Sequence, residues 1–308
     1  MRMSFGCRIL ALLALLTALV ALPAPATAQG RGRGGGPRVS QPGPLRWEYM
    51  GPPSSGRFSS VAGIPGDPTT YYLGSASGGV WKTTDSGETF APVFDDQPVQ
   101  AIGALAVAPS NPQVVWAGTG EAWAIRDADI MGDGVYKSTD GGATWTHMGL
   151  TETGRIARII PHPLDPDVVF VCSLGRVTGA QEERGVFRTR DGGATWERVL
   201  FVDEDTGCSG LTMDAHDPDV LFAGTWDTVM HTWVMHSGGP GSAVWVTRNG
   251  GDDWTRLGED DGLPRSPVGK IDVAVAPSDP DRVYALIQTA GQGSVWRSDD
   301  GGRSWRVV

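Results

Sequence analysis

The sequence predicts an all-β fold, a β-propeller of four-stranded antiparallel blades, on three observations. The pattern [ST]-x-[DN]-x-G-x-x-[WF] occurs five times: Thr83 to Phe90, Ser138 to Trp145, Thr189 to Trp196, Thr247 to Trp254 and Ser298 to Trp305. Its acidic or amide positions, Asp85, Asp140, Asp191, Asn249 and Asp300, stand 55, 51, 58 and 51 residues apart (85→140→191→249→300). A near-constant period of that size means one supersecondary unit repeated. Each period also holds four short apolar stretches between turn signals, which is the pattern of a propeller blade.

Within a blade, the expected first strands are Phe58 to Ile64, Ile102 to Val107, Ile156 to Ile160, Leu211 to Met213 and Ile271 to Val275. Several alternate small or polar residues with apolar ones, as half-buried strands do. Each leads into Asp67-Pro68, Asn111-Pro112, Asp165-Pro166, Asp217-Pro218 or Asp279-Pro280. These are turn signals, because the Asx side chain bonds nearby backbone and proline fixes φ. Second strands follow at Tyr71 to Gly74, Val114 to Gly118, Val168 to Val171, Val220 to Gly224 and Val283 to Leu286; third strands start at Val80, Val135, Val186, Val244 and Val295. A fourth strand begins at each terminal aromatic of the repeated pattern. The implied blades are residues 57–96, 101–150, 155–202, 208–258 and 269–308.

The repeated pattern is then the turn between third and fourth strands. Its carboxylate can accept several backbone N–H bonds, its glycines permit positive φ, and its aromatic buries a large apolar area between sheets. Asn249 keeps the acceptor oxygen and loses the charge. That suits a turn lock at Asp85, Asp140, Asp191, Asn249 and Asp300 and argues against a shared cation site, which would prefer carboxylates.

On these residues the chain resembles the Asp-box (BNR) repeat proteins, a group that includes sialidases, xyloglucan hydrolases and the sortilin N-terminal propeller. Gly78 to Asp85, Gly134 to Gly142 and Asp165 to Val171 look most like bacterial secreted proteins of the sortilin-like and glycosyl-hydrolase-like kind. The resemblance covers about residues 45–308. It implies a ligand-binding propeller for peptide or glycan ligands, or else a glycoside hydrolase, or a structural scaffold of a larger secreted protein. The xyloglucan hydrolases carry a catalytic acid just before the Gly-Gly of the first blade; the matching stretch here, Ser75 to Gly79, has none. An arginine triad of the sialidase type has only Arg57, Arg155, Arg176 and Arg184 as candidates near the ligand face, and structural ion pairs explain these as readily.

Trp47 to Pro52 reads as a fourth strand with no partners before it, so five blades and one N-terminal strand are present and a larger ring is expected, its remaining blades belonging to a longer chain. Residues 1–28 read as a secretory signal: Arg2 and Arg8, an apolar run from Ile9 to Leu22, and Ala26-Thr-Ala28 as the cleavage site. Residues 29–44 form a Gly/Arg/Pro-rich linker. The expected location is secreted or periplasmic, with no membrane insertion after signal cleavage.

Removing the two signal arginines from 25 basic residues leaves 23 against 35 acids, a net charge of −12. Nucleic-acid binding needs a basic footprint and is excluded on this balance. No cofactor or metal is expected: there is no phosphate-cradling loop, and Asp127, Asp129 and Asp133 lack calcium-loop spacing. Cys172 and Cys208, at corresponding ends of neighbouring blades, are candidates for a disulfide.

Ligand contacts are expected on the face opposite the Asp boxes, where loops on a rigid scaffold carry function. Those loops are longest in blades 2–4, and three tryptophans there, Trp123, Trp226 and Trp233, have no repeat role. With them stand Glu121, Arg126, Asp127 and Asp133, then Glu182 and Arg184, then Asp227 and His231 in the stretch Trp226 to His236, read as a loop. Aromatics beside carboxylates can stack on sugar rings or anchor peptides.

Overall fold

The computed structural model of the protein describes residues 57–122 and 130–308. The signal, the linker, the Trp47 strand and residues 123–129 lie outside the described residues. Blade 1 comprises β1 (Phe58–Ile64), β2 (Asp67–Ser75), β3 (Val80–Thr83) and β4 (Ala91–Pro92). Blade 2 comprises β5 (Ile102–Ala108), β6 (Asn111–Thr119), β7 (Val135–Ser138) and β8 (Thr146–His147), and blade 3 comprises β9 (Ile156–Pro161), β10 (Val169–Ser173), β11 (Gly185–Thr189) and β12 (Glu197–Leu200). Blade 4 holds β13 (Thr206–Met213), β14 (Leu221–His231), β15 (Val234–Ser237), β16 (Val244–Thr247) and β17 (Thr255–Leu257). Blade 5 holds β18 (Ile271–Ala276), β19 (Asp279–Ile287), β20 (Val295–Ser298) and β21 (Arg306–Val307). Each sheet runs in chain order with antiparallel neighbours, and β15 is an extra strand paired only to β14. This is the expected all-β propeller architecture.

The stretch from Trp226 to His236 corrects the expectation of a loop. β14 runs on past the level at which its counterparts end, and Thr228 to His231 pair with Val234 to Ser237 as a hairpin. Alternation through Trp226, Thr228 and Met230, all buried, is the strand signal of that segment.

The Asx turns act as expected. Asp67, Asn111, Asp165 and Asp217 each accept from the backbone N–H two residues on, at 2.8, 3.1, 3.0 and 3.4 Å. The Asp boxes lie beside them: Ser86, Gly141, Gly192, Gly250 and Gly301 donate their N–H to the carbonyls of Thr69, Gln113, Asp167, Asp219 and Asp281. One face therefore carries both turn types, and the far ends of the second strands form the other.

Buried apolar residues fall into four clusters, each between consecutive blades. The box aromatics close these cores backward. Trp145 donates to Val93 O and Trp196 to Met148 O, both at 2.7 Å and both in the preceding blade, and Trp305 stands edge-on to Phe222. Side chains of this size bury about 150–250 Å² each and dominate such interfaces. First strands neighbour one another in the order β1, β5, β9, β13, β18, and no packing of similar extent joins β18 to β1 among the described residues. Between blades 3 and 4, Cys172 and Cys208 are joined by a disulfide across β10 and β13.

Candidate functional site

Each second strand enters from the box face, so the ends of β6, β10, β14 and β19 deliver their following residues to the opposite face. Glu121 follows β6 and is buried, its carboxylate held by Arg57 Nε at 2.9 Å and by Arg57 Nη2. Beside it, Ala122 O accepts from Lys270 Nζ at 2.9 Å, a contact between residues 148 apart. The Lys270 ammonium also lies 5.1 Å from the Trp226 ring centroid, within cation–π range. Burial pushes the Lys270 amine below its ordinary value, opposed by Asp272 and Glu121. Arg158 and Asp272 pair at 2.7 Å. They meet past β13 at Gly210, where an added Cβ would fall 2.5 Å from Asp272 Oδ1. Blades 1, 2, 3 and 5 thus contribute charges of both signs to one polar centre, with Trp226 from blade 4 as its apolar wall.

Around this centre the other expected residues separate into two kinds. Some are built into the scaffold. Arg184 is fully buried and donates to Asp205 O at 2.6 Å, Thr228 O at 3.2 Å and Gly179 O at 2.9 Å, so it ties the segments at Gly179 and Asp205 to β14 from a position closed to solvent. Arg155 is likewise buried and donates to Arg176 O at 2.7 Å; Arg176 pairs with Glu152, and Arg57 with Glu121. All four arginine candidates for a sialidase-type triad therefore have partners within the protein. Asp133 accepts from Tyr136 OH at 2.8 Å, and burial with that bond raises the phenol. Asp227 packs under the turn at Gly239 to Gly241, accepting from Gly241 N at 3.4 Å while its own N–H donates to Ser242 Oγ at 2.9 Å. Burial raises the Asp227 carboxyl above the usual range, and Asp203 and Asp205 nearby add to the effect.

Others face solvent. Glu182 is exposed. At the tip of the β14–β15 hairpin, Trp233 is 82 % exposed and stacks on the His231 ring at 5.3 Å and 10°. His236 stands edge-on to His231 at 6.1 Å, and Val234 and Met235 are exposed beside it. No group of three or more metal-ligating side chains occurs among the described residues. The hairpin is fixed at its foot, where Trp226 Nε1 donates to Ser237 Oγ at 3.0 Å and Ser237 Oγ donates to Gln288 Oε1 at 2.7 Å, and near its tip, where Met230 N–H donates to Val177 O at 2.6 Å. Trp123, Arg126 and Asp127 lie outside the described residues.

The structure therefore brings Glu121 and Trp226 into one centre and sets His231 and Trp233 on a projecting platform. Lys270, Arg158 and Asp272 are the residues sequence reasoning misses. Lys270 is one of only three lysines, and the other two, Lys82 and Lys137, occupy repeat positions, so its position outside the repeat is the available signal. A cleft of about 460 Å³ lies elsewhere, over an apolar floor of Val244, Leu257, Val268 and Ile271 with Glu259 and Arg265 paired at its rim.

A family model described as "Sortilin, neurotensin receptor 3" matches residues 133–263. A xyloglucanase of Paenibacillus sp is 27% identical over 229 residues, covering 65% of this chain and 20% of the relative. A xyloglucanase of Acetivibrio thermocellus is 25% identical over 248 residues, covering 69% of this chain and 27% of the relative. The chain thus spans about a fifth to a quarter of the length of these curated relatives. Among solved structures, the GH74 enzyme of Niastella koreensis superposes with a TM-score of 0.61 at 22% identity, covering 80% of this chain and 37% of that one, a likeness in fold.

Proposed function

We propose that the chain, a propeller of Asp-box blades similar to sortilin-like and glycosyl-hydrolase-like proteins, is an exported, ligand-binding propeller for peptide or glycan ligands. The observation that carries this reading is the projecting His231–Trp233 platform on the face opposite the Asp boxes. An exposed indole braced by a stacked ring, on a hairpin tied down at its foot, presents a rigid apolar face with little ordering cost on binding. Such a face suits a sugar ring or an apolar peptide side chain. The polar centre around Lys270 and Glu121 meets the same hairpin at its foot, through Trp226. Export is read from the N-terminal signal, and no described helix is long and apolar enough to cross a membrane.

Hydrolysis of a polysaccharide is the second reading, favoured by the xyloglucanase relatives. It needs two carboxylates flanking the scissile bond. Glu121 is buried against Arg57, and Asp227 is closed in by the Gly239 to Gly241 turn, so neither supports that role. Glycan and peptide arrays probed with the full chain and with Trp233→Ala separate the readings. Bound ligands should lose roughly tenfold or more in affinity on Trp233→Ala, the scale of an aromatic anchor. Unchanged binding would remove the platform. Release of reducing sugar from xyloglucan would move the assignment to the hydrolase.

A further inference from the structure

The chain holds five histidines, at 147, 162, 216, 231 and 236. Three of them have a ring nitrogen occupied by the protein. His147 Nε2 bonds to Asp133 O at 2.7 Å, His162 Nδ1 accepts from the N–H groups of Leu164 and Asp165 at 3.2 and 3.1 Å, and His216 Nδ1 lies 3.5 Å from Asp214 Oδ1. His231 and His236 differ. Both are exposed, and among the described residues no protein group bonds to the nitrogens of either ring. Their rings touch each other, and His231 touches Trp233.

Hairpin register, rather than sequence spacing, brings the two together. Met230-His231 at the end of β14 is repeated as Met235-His236 on β15. Val229 faces His236, Met230 faces Met235 and His231 faces Val234. Successive side chains of a strand point to opposite faces. The imidazoles are therefore diagonal neighbours on one face of the hairpin, and the thioethers are paired on the other. The Trp226–Ser237–Gln288 bonds and the bond from Met230 N–H to Val177 O hold this frame before any ion arrives. Binding there costs little ordering of the backbone.

The ring geometry suits two ligands to one ion. With metal–nitrogen bonds of about 2.1 Å, two imidazoles on a shared ion have centroids at most about 6.5 Å apart. Those of His231 and His236 lie 6.1 Å apart, with planes at 84°, and rotation of two exposed side chains adjusts the angle at the ion. Imidazole lone pairs lie in the ring plane. Trp233 stacks on the flat of His231 at 10° and leaves that edge open.

We propose that His231 and His236 form a metal site, two imidazole nitrogens holding one divalent transition-metal ion, copper(II) before nickel or zinc, with water in the remaining positions. Calcium and magnesium take oxygen ligands, which this pair does not offer. Imidazole suits copper, nickel and zinc, and affinity among divalent ions peaks at copper(II). Copper(I) selects thioethers. Met230 packs into the core of blades 3 and 4, and Met235 stands on the other face of the hairpin, so the donor set is nitrogen alone. The acid excess of the whole chain draws cations toward it.

The test titrates copper(II) sulfate into the chelator-treated full chain, with calcium chloride as the negative control. Electron paramagnetic resonance should show a copper(II) ion with two nitrogen ligands. Trp233, stacked on a ligand ring, should lose fluorescence in step with that signal. Trp233→Phe should abolish this component of the quenching and keep the copper signal. His231→Gln and His236→Gln should each weaken binding roughly tenfold or more, since even groups that only orient a ligand are worth roughly 10–100-fold in affinity. Both side chains are exposed, so the metal-free variants should melt with the parent. Copper held as tightly by the double variant as by the parent overturns the proposal. So does a loss confined to one of the two substitutions, which leaves a single-histidine contact and no pair. The probe is the metal alone, so these readouts do not depend on whether the platform takes a glycan or a peptide.

Discussion

At the residue scale the Asp box is a small polar machine with a fixed polarity. In four boxes the carboxylate accepts from the hydroxyl two residues before it and from both the N–H and the hydroxyl four residues after; for Asp140 these are Ser138 at 2.8 Å and Thr144 at 2.8 and 2.6 Å. Those bonds hold the Asp85, Asp140 and Asp191 carboxyls down at about 2, and Asp300 lower still. A carboxylate depressed on folding adds stability above its unfolded value, near 4, and loses it as pH falls through the folded value. Thermal melts should therefore show the boxes' share lost between about pH 4 and 2, and Asp140→Asn should flatten that acid slope. Box 4 keeps the bond from Thr247 Oγ1 and reverses the side chain to side chain bond four residues on. Asn249 Nδ2 donates to Asp253 Oδ2 at 3.0 Å, while Asn249 Oδ1 takes the Asp253 N–H at 3.0 Å, so the charge has moved four residues along. Asn249→Asp alone sets two carboxylates against each other at an exposed site and should cost roughly 0.5 kcal/mol; adding Asp253→Thr rebuilds the standard box and should recover it. A double-mutant cycle by urea unfolding that shows no coupling would refute the reversal.

At the element scale, the disulfide can be understood as a substituted blade joint. Cys208 holds the place of Ile102, Ile156 and Ile271, and Cys172 the place of Gly74, Gly118 and Gly224. Cross-linking residues 36 apart restrains the unfolded chain by about 4 kcal/mol in the chain-entropy view. Cys172→Ser with Cys208→Ser should lose much of that and leave two buried hydroxyls at the joint. Cys172→Gly with Cys208→Ile should be clearly more stable than the serine pair, because it restores packing the other three joints use; equal melting temperatures would refute this. The period makes most elements legible in the sequence, since a residue's role can be copied from its counterpart one repeat away. The same reliance on the repeat hides the β14–β15 hairpin. Trp226 to Ser237 has no counterpart in other blades, and it is tied to Val177 and Gln288, contacts supplied by blades 3 and 5.

At the scale of the whole molecule, the polar centre is the least legible part. Glu121 and Trp226 attract notice as residues without a repeat role, but Lys270 meets Ala122 only because successive blades turn about a common axis, and no local pattern encodes a contact 148 residues apart. The arc of blades makes a second kind of statement, about which repeats are joined and which are open. The glycine two residues after the Asp or Asn of each box takes positive φ, so alanine there carries backbone strain everywhere, of order 1 kcal/mol. The steric part differs. At Gly302 a Cβ would lie 2.4 Å from Phe222, and at Gly193 2.9 Å from Trp116, both side chains locked in a buried joint. At Gly87 it would meet only Phe90 of its own box, at 3.8 Å, because no blade packs on that side among the described residues. Gly302→Ala should therefore destabilise by about 1–3 kcal/mol more than Gly87→Ala, the range of overpacking in a filled core. Chemical unfolding of the two variants reads the difference. Equal costs would mean that blade 1's box is as enclosed as the others, and that the ring of blades is closed where the structure leaves it open.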